Sequence, residues 1–261
     1  MFALFAITLF SQTEDTPRGL WNTEFQKNRA TSENTGGQPR MLGVTLWRMR
    51  APRATDQARI IIHEPDTGNT REMTPERISA DSRLYPDDRV RLTIESAVSG
   101  YLYVASCELY ADGSRGTPYL LFPSRRILGG SNRMKPGMVV ELPEPSNRRP
   151  YFTLKRGRAD HVSESLIVLV SGQPIPGLIV DQQPVALQPA QVERWIKDWG
   201  AGVKMIQMEG SVGQSWTAAE KAAASGAARL QPGDPAPQRI YRATPASGQP
   251  IVIALDLKLV K

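Results

Sequence analysis

Alternation of apolar and polar residues between Val90 and Glu95 is the feature that most constrains this chain. The apolar members are Val90, Leu92 and Ile94, and the polar members are Arg91, Thr93 and Glu95. A period of two predicts a β-strand with one buried face and one face in water. Ser99-Gly100 then predicts a tight turn, with residues 101–107 as the returning strand.

Similar short strand signals recur along the rest of the chain. They lie at 42–47, 59–63, 118–123, 138–143, 151–154, 166–170 and 251–260. A helical stripe follows Pro189 and consists of Val192, Trp195, Ile196 and Trp199. Thr217 and Glu220 predict the capping box of a second short helix. Short strands joined by turns, with two late helices, predict a mainly β protein, an antiparallel immunoglobulin-like β-sandwich.

Composition divides the chain into three predicted parts. Residues 1–12 are interpreted as a signal peptide, and residues 13–40 as a polar leader or linker without a hydrophobic period. Residues 41–261 are expected to form the β-sandwich domain, with a helical excursion at 189–226 and a C-terminal strand at 251–260. Because so apolar a strand needs a neighbour, we expect it to pair, with the early strand near Leu42 as the natural candidate.

The ten apolar residues Met1–Phe10 carry the prediction of export. A helix of that length spans about 15 Å, half of a hydrocarbon core of about 30 Å, so no transmembrane anchor is predicted. The length suits the apolar region of a signal peptide and favours a periplasmic or extracellular protein. The alternative is a strand or helix of the core.

Positive charge is concentrated in one segment. The net charge is +6, and residues 125–158 hold nine cations against Glu141 and Glu144, a local excess of seven. The nine are Arg125, Arg126, Arg133, Lys135, Arg148, Arg149, Lys155, Arg156 and Arg158. This segment is a candidate surface for an anionic partner; the alternative is that these cations only solvate loops.

Signatures of catalysis and of metal binding are scarce. The single cysteine, Cys107, excludes an intramolecular disulfide, and two histidines, His63 and His161, leave little material for a metal centre. The chain has no phosphate-binding loop, no nucleophile elbow and no His-Glu-x-x-His motif. We therefore predict no catalytic residues and no cofactor, with Cys107 as a buried structural thiol. A hydrolase using a serine, Asp160 and His161 is the weakest alternative.

Several short motifs occur in an order that resembles a known bacterial family. They are Tyr85-Pro86-Asp87-Asp88-Arg89-Val90, Gly100-Tyr101-Leu102-Tyr103-Val104, Ala111-Asp112-Gly113, Leu121-Phe122-Pro123-Ser124 and Ser171-Gly172-Gln173-Pro174. Together they resemble the domain of unknown function 4384, over residues 87–174. The resemblance implies a β-rich accessory module of exported proteins and brings no catalytic residues with it.

These observations predict a non-enzymatic, exported module of a bacterial cell envelope. It would bind a protein or an anionic polymer as an accessory protein. The alternative is a structural subunit of a larger complex, held by its N-terminal arm and by strand addition at a sheet edge. Export argues against a nucleic-acid ligand.

Overall fold

The computed structural model describes residues 17–30, 40–64, 67–79, 81–143, 150–208, 210–244 and 249–260. The predicted signal peptide lies outside these residues, and so do Arg148 and Arg149 of the basic segment. Most of the regular structure is β. The strands are β1 (Arg40–Arg50), β2 (Ile60–His63), β3 (Thr70–Arg77), β4 (Arg89–Ser96), β5 (Gly100–Tyr110), β6 (Tyr119–Phe122), β7 (Arg133–Met134), β8 (Val139–Leu142), β9 (Phe152–Thr153), β10 (His161–Ser171), β11 (Val185–Ala186), β12 (Lys204–Gln207), β13 (Arg239–Ala243) and β14 (Ile251–Lys258).

The helices lie at the two ends of the described chain. They are α1 (Pro17–Leu20), a π-helical turn (Trp21–Phe25), α2 (Gln26–Ala30), α3 (Pro189–Trp199) and α4 (Ala218–Ala224), and a 3-10 turn covers Leu128–Gly130. The capping box predicted for α4 is present: Thr217 Oγ1 accepts from the Glu220 N–H, and the Glu220 carboxylate accepts from the Thr217 N–H.

The strands form two antiparallel sheets packed face to face, as the predicted β-sandwich requires. Sheet 1 has the order β12-β13-β1-β3-β2, and β4 joins it by pairing with β1, β8 and β9. Sheet 2 has the order β11-β6-β5-β10-β14, and β7 also pairs with β5. The core between them combines inward residues of both sheets, among them Leu92, Val104 and Leu166.

The strand after Ser99-Gly100 does not return beside β4, contrary to our expectation of a local strand pair. β4 belongs to sheet 1 and β5 to sheet 2, so the turn carries the chain across the core. The crossing buries Ala97 and Val98, and Ser96 Oγ donates to the Val98 carbonyl at 2.6 Å. By crossing, the two strands direct their apolar faces into one core from opposite sides.

The C-terminal strand is paired as expected, but its neighbour differs. β14 pairs with β10, from Val170 opposite Ile251 to Ser163 opposite Lys258. The early strand β1 lies in sheet 1, where Leu42 pairs with Tyr241 and Ser96. Leu42 and the inward leucines of β14 share the core instead, because the two strands belong to facing sheets.

Helix α3 covers the outer face of sheet 2. Val192 and Trp195 are buried against Tyr103, Ile167 and Leu169. The apolar strand β10 is therefore central and covered on both faces, as its continuous run of apolar residues predicted.

Residues 17–30 are part of the domain, although we expected a leader or linker over residues 13–40. Leu20 and Phe25 are fully buried and pack with Met41, Ala97 and Ile240. The turn between Leu20 and Gln26 is π-helical, with the Gln26 N–H donating to the Trp21 carbonyl. A five-residue spacing of buried side chains does not give the 3.6-residue period by which a helix is recognised in a sequence.

The polar face of β4 is buried, contrary to the expectation that it faces water. Arg91 is 1% exposed and Glu95 is 4% exposed, because the N-terminal helices and the segment around α4 cover this side of sheet 1. Three ion pairs lie there, and we call them the ion-pair layer: Arg29–Glu95, Arg77–Glu220 and Arg91–Glu141.

Each arginine of the ion-pair layer also lies over an aromatic ring. Arg29 is 4.5 Å from the centroid of Trp21, Arg77 is 5.0 Å from Trp47, and Arg91 is 5.2 Å from Trp216. Pairing and ring contact offset part of the cost of removing these charges from water. The layer is closed, and the cavity between its residues holds about 20 Å³.

Candidate functional site

The basic residues expected to form one surface are separated by the fold. Arg125, Arg126, Arg133 and Lys135 lie where β5 begins, since Arg133 pairs with Tyr101. Lys155, Arg156 and Arg158 lie where β5 ends, since the adjoining His161 pairs with Tyr110. Tyr110 lies nine residue steps after Tyr101 on the strand, about 30 Å at about 3.3 Å per residue.

Two of the seven described cations are engaged within the chain. Arg156 Nη2 donates to the Val260 carbonyl at 3.0 Å. Arg158 is paired with Asp160 at 2.8 Å and lies 3.9 Å above the Tyr110 ring. The side chains of the other five, Arg125, Arg126, Arg133, Lys135 and Lys155, are exposed. The described cations therefore do not form one continuous patch.

A groove runs along the side of the sandwich where β6 of sheet 2 faces β8 and β9 of sheet 1. It consists of three adjoining cavities of about 820, 250 and 140 Å³ that share lining residues. Leu121, Phe152 and Pro184 form its apolar middle. We call it the edge groove, and it arises because sheet 2 ends there in short strands that do not close over the core.

The two ends of the edge groove differ in charge. Arg126 lines one end. Glu108 and Glu164 line the other, with Lys155 at its rim. Of the seven candidate basic residues that the structure describes, two thus line this groove, Arg126 and Lys155. The carboxylates were not identified from the sequence.

His161 lies between the two carboxylates at the acidic end. Its side chain is 4% exposed, and its Nδ1 and Nε2 atoms lie 3.8 Å from Glu108 Oε1 and from Glu164 Oε2. Nε2 also lies 3.0 Å from the Ser163 carbonyl, which can only accept a hydrogen bond. That contact assigns the proton of the neutral ring to Nε2.

Short side-chain contacts hold the two carboxylates in place. Tyr110 donates to Glu108 Oε2 at 2.5 Å, which raises the pKa of the tyrosine. The Ser106 hydroxyl donates to Glu164 Oε1. Burial raises the pKa of the Glu164 carboxyl, and the bond from Ser106 only partly opposes this effect.

Ser106, Glu108 and Tyr110 continue the inward-facing register of Leu102 and Val104 on β5. A polar residue at an inward position marks the place where a strand leaves the core. That signal could have identified Glu108 from the sequence, whereas its proximity to Glu164 depends on how β5 pairs with β10.

Cys107 is buried in the cluster that contains Tyr103 and Ala105, and it also borders the 820 Å³ cavity of the edge groove. Its sulfur lies 3.7 Å from Arg115 Nη1, and the same nitrogen donates to Ser165 Oγ at 2.9 Å. Ser165 Oγ in turn donates to Asp256 Oδ1 at 2.7 Å. Burial raises the pKa of the thiol, which opposes nucleophilic reactivity at neutral pH. The expected structural role fits this setting.

The residues of the hydrolase alternative do not come together. Asp160 is paired with Arg158, whereas the carboxylates beside His161 are those of Glu108 and Glu164. Among the described residues, no cluster of histidine, cysteine, aspartate and glutamate has an arrangement that could hold a metal ion. No helix in those same ranges is long and apolar enough to cross a membrane.

Comparison with known proteins gives no match to a family model, to a curated protein or to a solved structure. The resemblance of residues 87–174 to the domain of unknown function 4384 therefore stays a prediction.

Proposed function

We propose that this protein is an exported, non-enzymatic binding module of a bacterial cell envelope, which holds a segment of a protein partner in the edge groove. The observation that carries the proposal is the composition of the groove. An apolar middle flanked by one cationic and one acidic end suits an extended peptide with an apolar centre and charged residues on either side.

The position of the basic residues favours a protein over an anionic polymer. A polymer of repeating negative charge needs a continuous row of cations, and the two described groups adjoin opposite ends of β5. A protein segment needs only one acidic side chain near Arg126. The export part of the proposal rests on the N-terminal apolar run and on the resemblance described above.

Photo-crosslinking from two tyrosine positions tests the groove. Tyr119 lines it and is 44% exposed, whereas Tyr85 lies elsewhere and is 51% exposed, which makes it a matched control. Benzoylphenylalanine is placed at either position and the full chain is expressed in a bacterial host with its native leader. We expect a discrete crosslinked protein from position 119 and none from position 85; equal or absent products at both positions would contradict the proposal.

Cell fractionation tests the location. The full chain is expected in the periplasm or medium, and a variant lacking residues 1–12 in the cytosol. Cytosolic retention of both would remove export from the proposal but leave the groove in place.

One observation favours the structural-subunit alternative. Among the described residues, β14 is an edge strand that pairs with β10, and its far end makes a parallel bridge from Leu259 to Leu84. A cavity of about 250 Å³ lies beside it and is lined by Val44, Leu255 and Leu257. Strand addition at this edge predicts an assembly that persists at high salt. Elution of the protein as a monomer in size-exclusion chromatography, at low as well as high salt, would count against this alternative. The N-terminal arm that this alternative uses to contact other chains is shorter than expected, since residues 17–30 pack within the domain.

A further inference from the structure

The acidic end of the edge groove is a small pocket with a polar floor. The cavity holds about 250 Å³, and its apolar walls are Phe152, Leu154, Leu166, Leu257 and Leu259. Drug-sized ligands usually occupy about 300–1,000 Å³. This pocket therefore has the size for a single long side chain rather than for a cofactor.

The pocket offers hydrogen-bond acceptors that the described residues leave without donors. His161 Nδ1 is buried and has no hydrogen-bond partner. In the neutral ring with its proton on Nε2, Nδ1 is an acceptor, and a second acceptor, Glu108 Oε1, lies 3.8 Å from it. Two facing acceptors at this separation repel each other unless a donor lies between them.

The carboxylates of Glu108 and Glu164 also have acceptor atoms that receive no hydrogen bond. Tyr110 and Ser106 each satisfy one oxygen, of Glu108 and Glu164 respectively. Within the described residues, Glu108 Oε1 and Glu164 Oε2 receive no hydrogen bond. The nearby cations do not fill the gap, because Arg158 is paired with Asp160 and Lys155 is exposed at the rim.

We propose that this pocket binds the primary ammonium group of a lysine side chain, which the partner segment inserts between Glu108, Glu164 and His161. An ammonium has three N–H donors and a positive charge, and the pocket has three acceptors without donors and two carboxylates. The four-carbon stem of lysine would lie against the leucines of the wall. Glu108, with a side chain 40% exposed, is the group that moves to admit the ligand. This inference rests on the proposed function, since it assigns the chemistry of one end of the same groove.

Small probes test the pocket without the partner. The probe is n-butylammonium, which reproduces the end of lysine, and n-butanol is the uncharged control of equal length. Backbone amide shifts of residues 106–108 and 161–165 are followed by NMR on the full chain. We expect n-butylammonium to bind with a dissociation constant on the order of millimolar. Equal binding of n-butanol, or no shift with either probe, would overturn the proposal.

Matched glutamine variants locate the binding. We expect E164Q and E108Q each to weaken n-butylammonium binding about tenfold, since each removes one charge-assisted hydrogen bond. E193Q, on the exposed face of α3, is the control and should bind as the unchanged protein does. If E164Q and E108Q bind as E193Q does, the amine lies elsewhere and the proposal fails.

A third probe separates lysine from a free amine. Nα-acetyl-lysine N-methylamide carries the side chain between two peptide bonds. Binding at least as tight as that of n-butylammonium supports a lysine of a protein. Its exclusion, with n-butylammonium still bound, would overturn the lysine assignment. Failure of all probes with a crosslink retained at position 119 would reject this inference alone, and bound probes without a crosslink would reject the proposed function alone.

Discussion

The glutamates of the ion-pair layer and those of the edge groove lie in different surroundings. In the ion-pair layer each glutamate faces an arginine, as Glu95 faces Arg29 at 2.7 and 2.8 Å. In the edge groove Glu108 and Glu164 face a histidine acceptor and hydroxyl groups. The layer is buried and pairs each carboxylate with a guanidinium, although Arg91 Nη1 has no hydrogen-bond partner among the described residues; the groove is open and keeps acceptors without donors. Paired charges in a closed layer serve the fold, and unpaired acceptors in an open groove are available to a ligand.

The energetics of the layer follow from its burial. Burial lowers the pKa of Arg91 and raises that of Glu141, so desolvation outweighs the attraction between the two groups. Such a pair adds little net stability compared with apolar residues, but removal of one partner leaves a costly buried charge.

The largest effect is expected from breaking one pair of the layer. Arg91→Leu leaves Glu141 buried without its cation and should lower the free energy of unfolding by about 3–5 kcal/mol. Urea denaturation measures this loss. The double variant Arg91→Leu/Glu141→Leu should recover most of it, because no uncompensated charge remains. A single variant that costs below about 1 kcal/mol would show that the layer does not hold a buried charge pair.

The second effect is a pH dependence that originates in the layer. Burial raises the pKa of Glu141 from 4.5 to about 7, with Arg91 and Lys221 as the opposing cations. The native state then binds this proton more tightly than the unfolded chain does. The stability it contributes is complete below pH 4.5 and is lost as the pH rises through 7. At about 1.4 kcal/mol for each pKa unit, the change is about 3 kcal/mol.

The comparison with E141Q isolates this contribution. Burial also raises the pKa of Glu95 and of Glu164, and these groups remain in both proteins. Denaturant midpoints at pH 5 and pH 8 should therefore differ more for the unchanged chain than for E141Q. Equal differences would show that Glu141 titrates near its ordinary pKa.

Identical substitutions in the two regions sharpen the comparison further. E95Q places an amide N–H₂ against the guanidinium of Arg29 and should cost about 2 kcal/mol of unfolding free energy. E164Q keeps an amide oxygen that accepts from Ser106, and it removes a partly buried charge. The free energy of unfolding should therefore change by no more than about 1 kcal/mol in either direction. Chemical denaturation of both variants at pH 7 tests the contrast, and equal losses would contradict it.

The smallest effect is expected at the cationic end of the groove. Arg126→Gln should weaken capture of the crosslinked partner about two- to fivefold, as is usual for charges at the rim of an interface. Lys135→Gln is the control, because Lys135 is exposed but does not line the groove. Quantitative pull-down at low and high salt measures both, and equal effects of the two variants would indicate general charge attraction.

Local patterns predicted the local parts of the fold. The helical stripe of α3 and the capping box of α4 depend on residues within one or two turns. Asp112-Gly113 similarly predicts the hairpin between β5 and β6, where the Gly113 N–H donates to the Tyr110 carbonyl at 2.9 Å. These features depend on contacts between near neighbours, which a single sequence contains in full.

The errors all concern which element covers or pairs with which. The alternating pattern of β4 correctly assigns its residues to an apolar face and a polar face. It cannot show that Arg29 and Trp216, which are distant in sequence, cover the polar face. The same applies to the basic segment, which is continuous in sequence but is divided between the two ends of β5.

The sequence by itself determined the β class, the late helices and the concentration of charge, because periodicity, turn residues and composition are properties of short segments. Tertiary structure alone decided that Arg91 and Glu95 are buried, and that Glu108, His161 and Glu164 converge at one end of a groove. Those outcomes depend on strand register and on the packing of segments up to about two hundred residues apart, as in the bond from Arg29 to the Pro235 carbonyl across 206 positions.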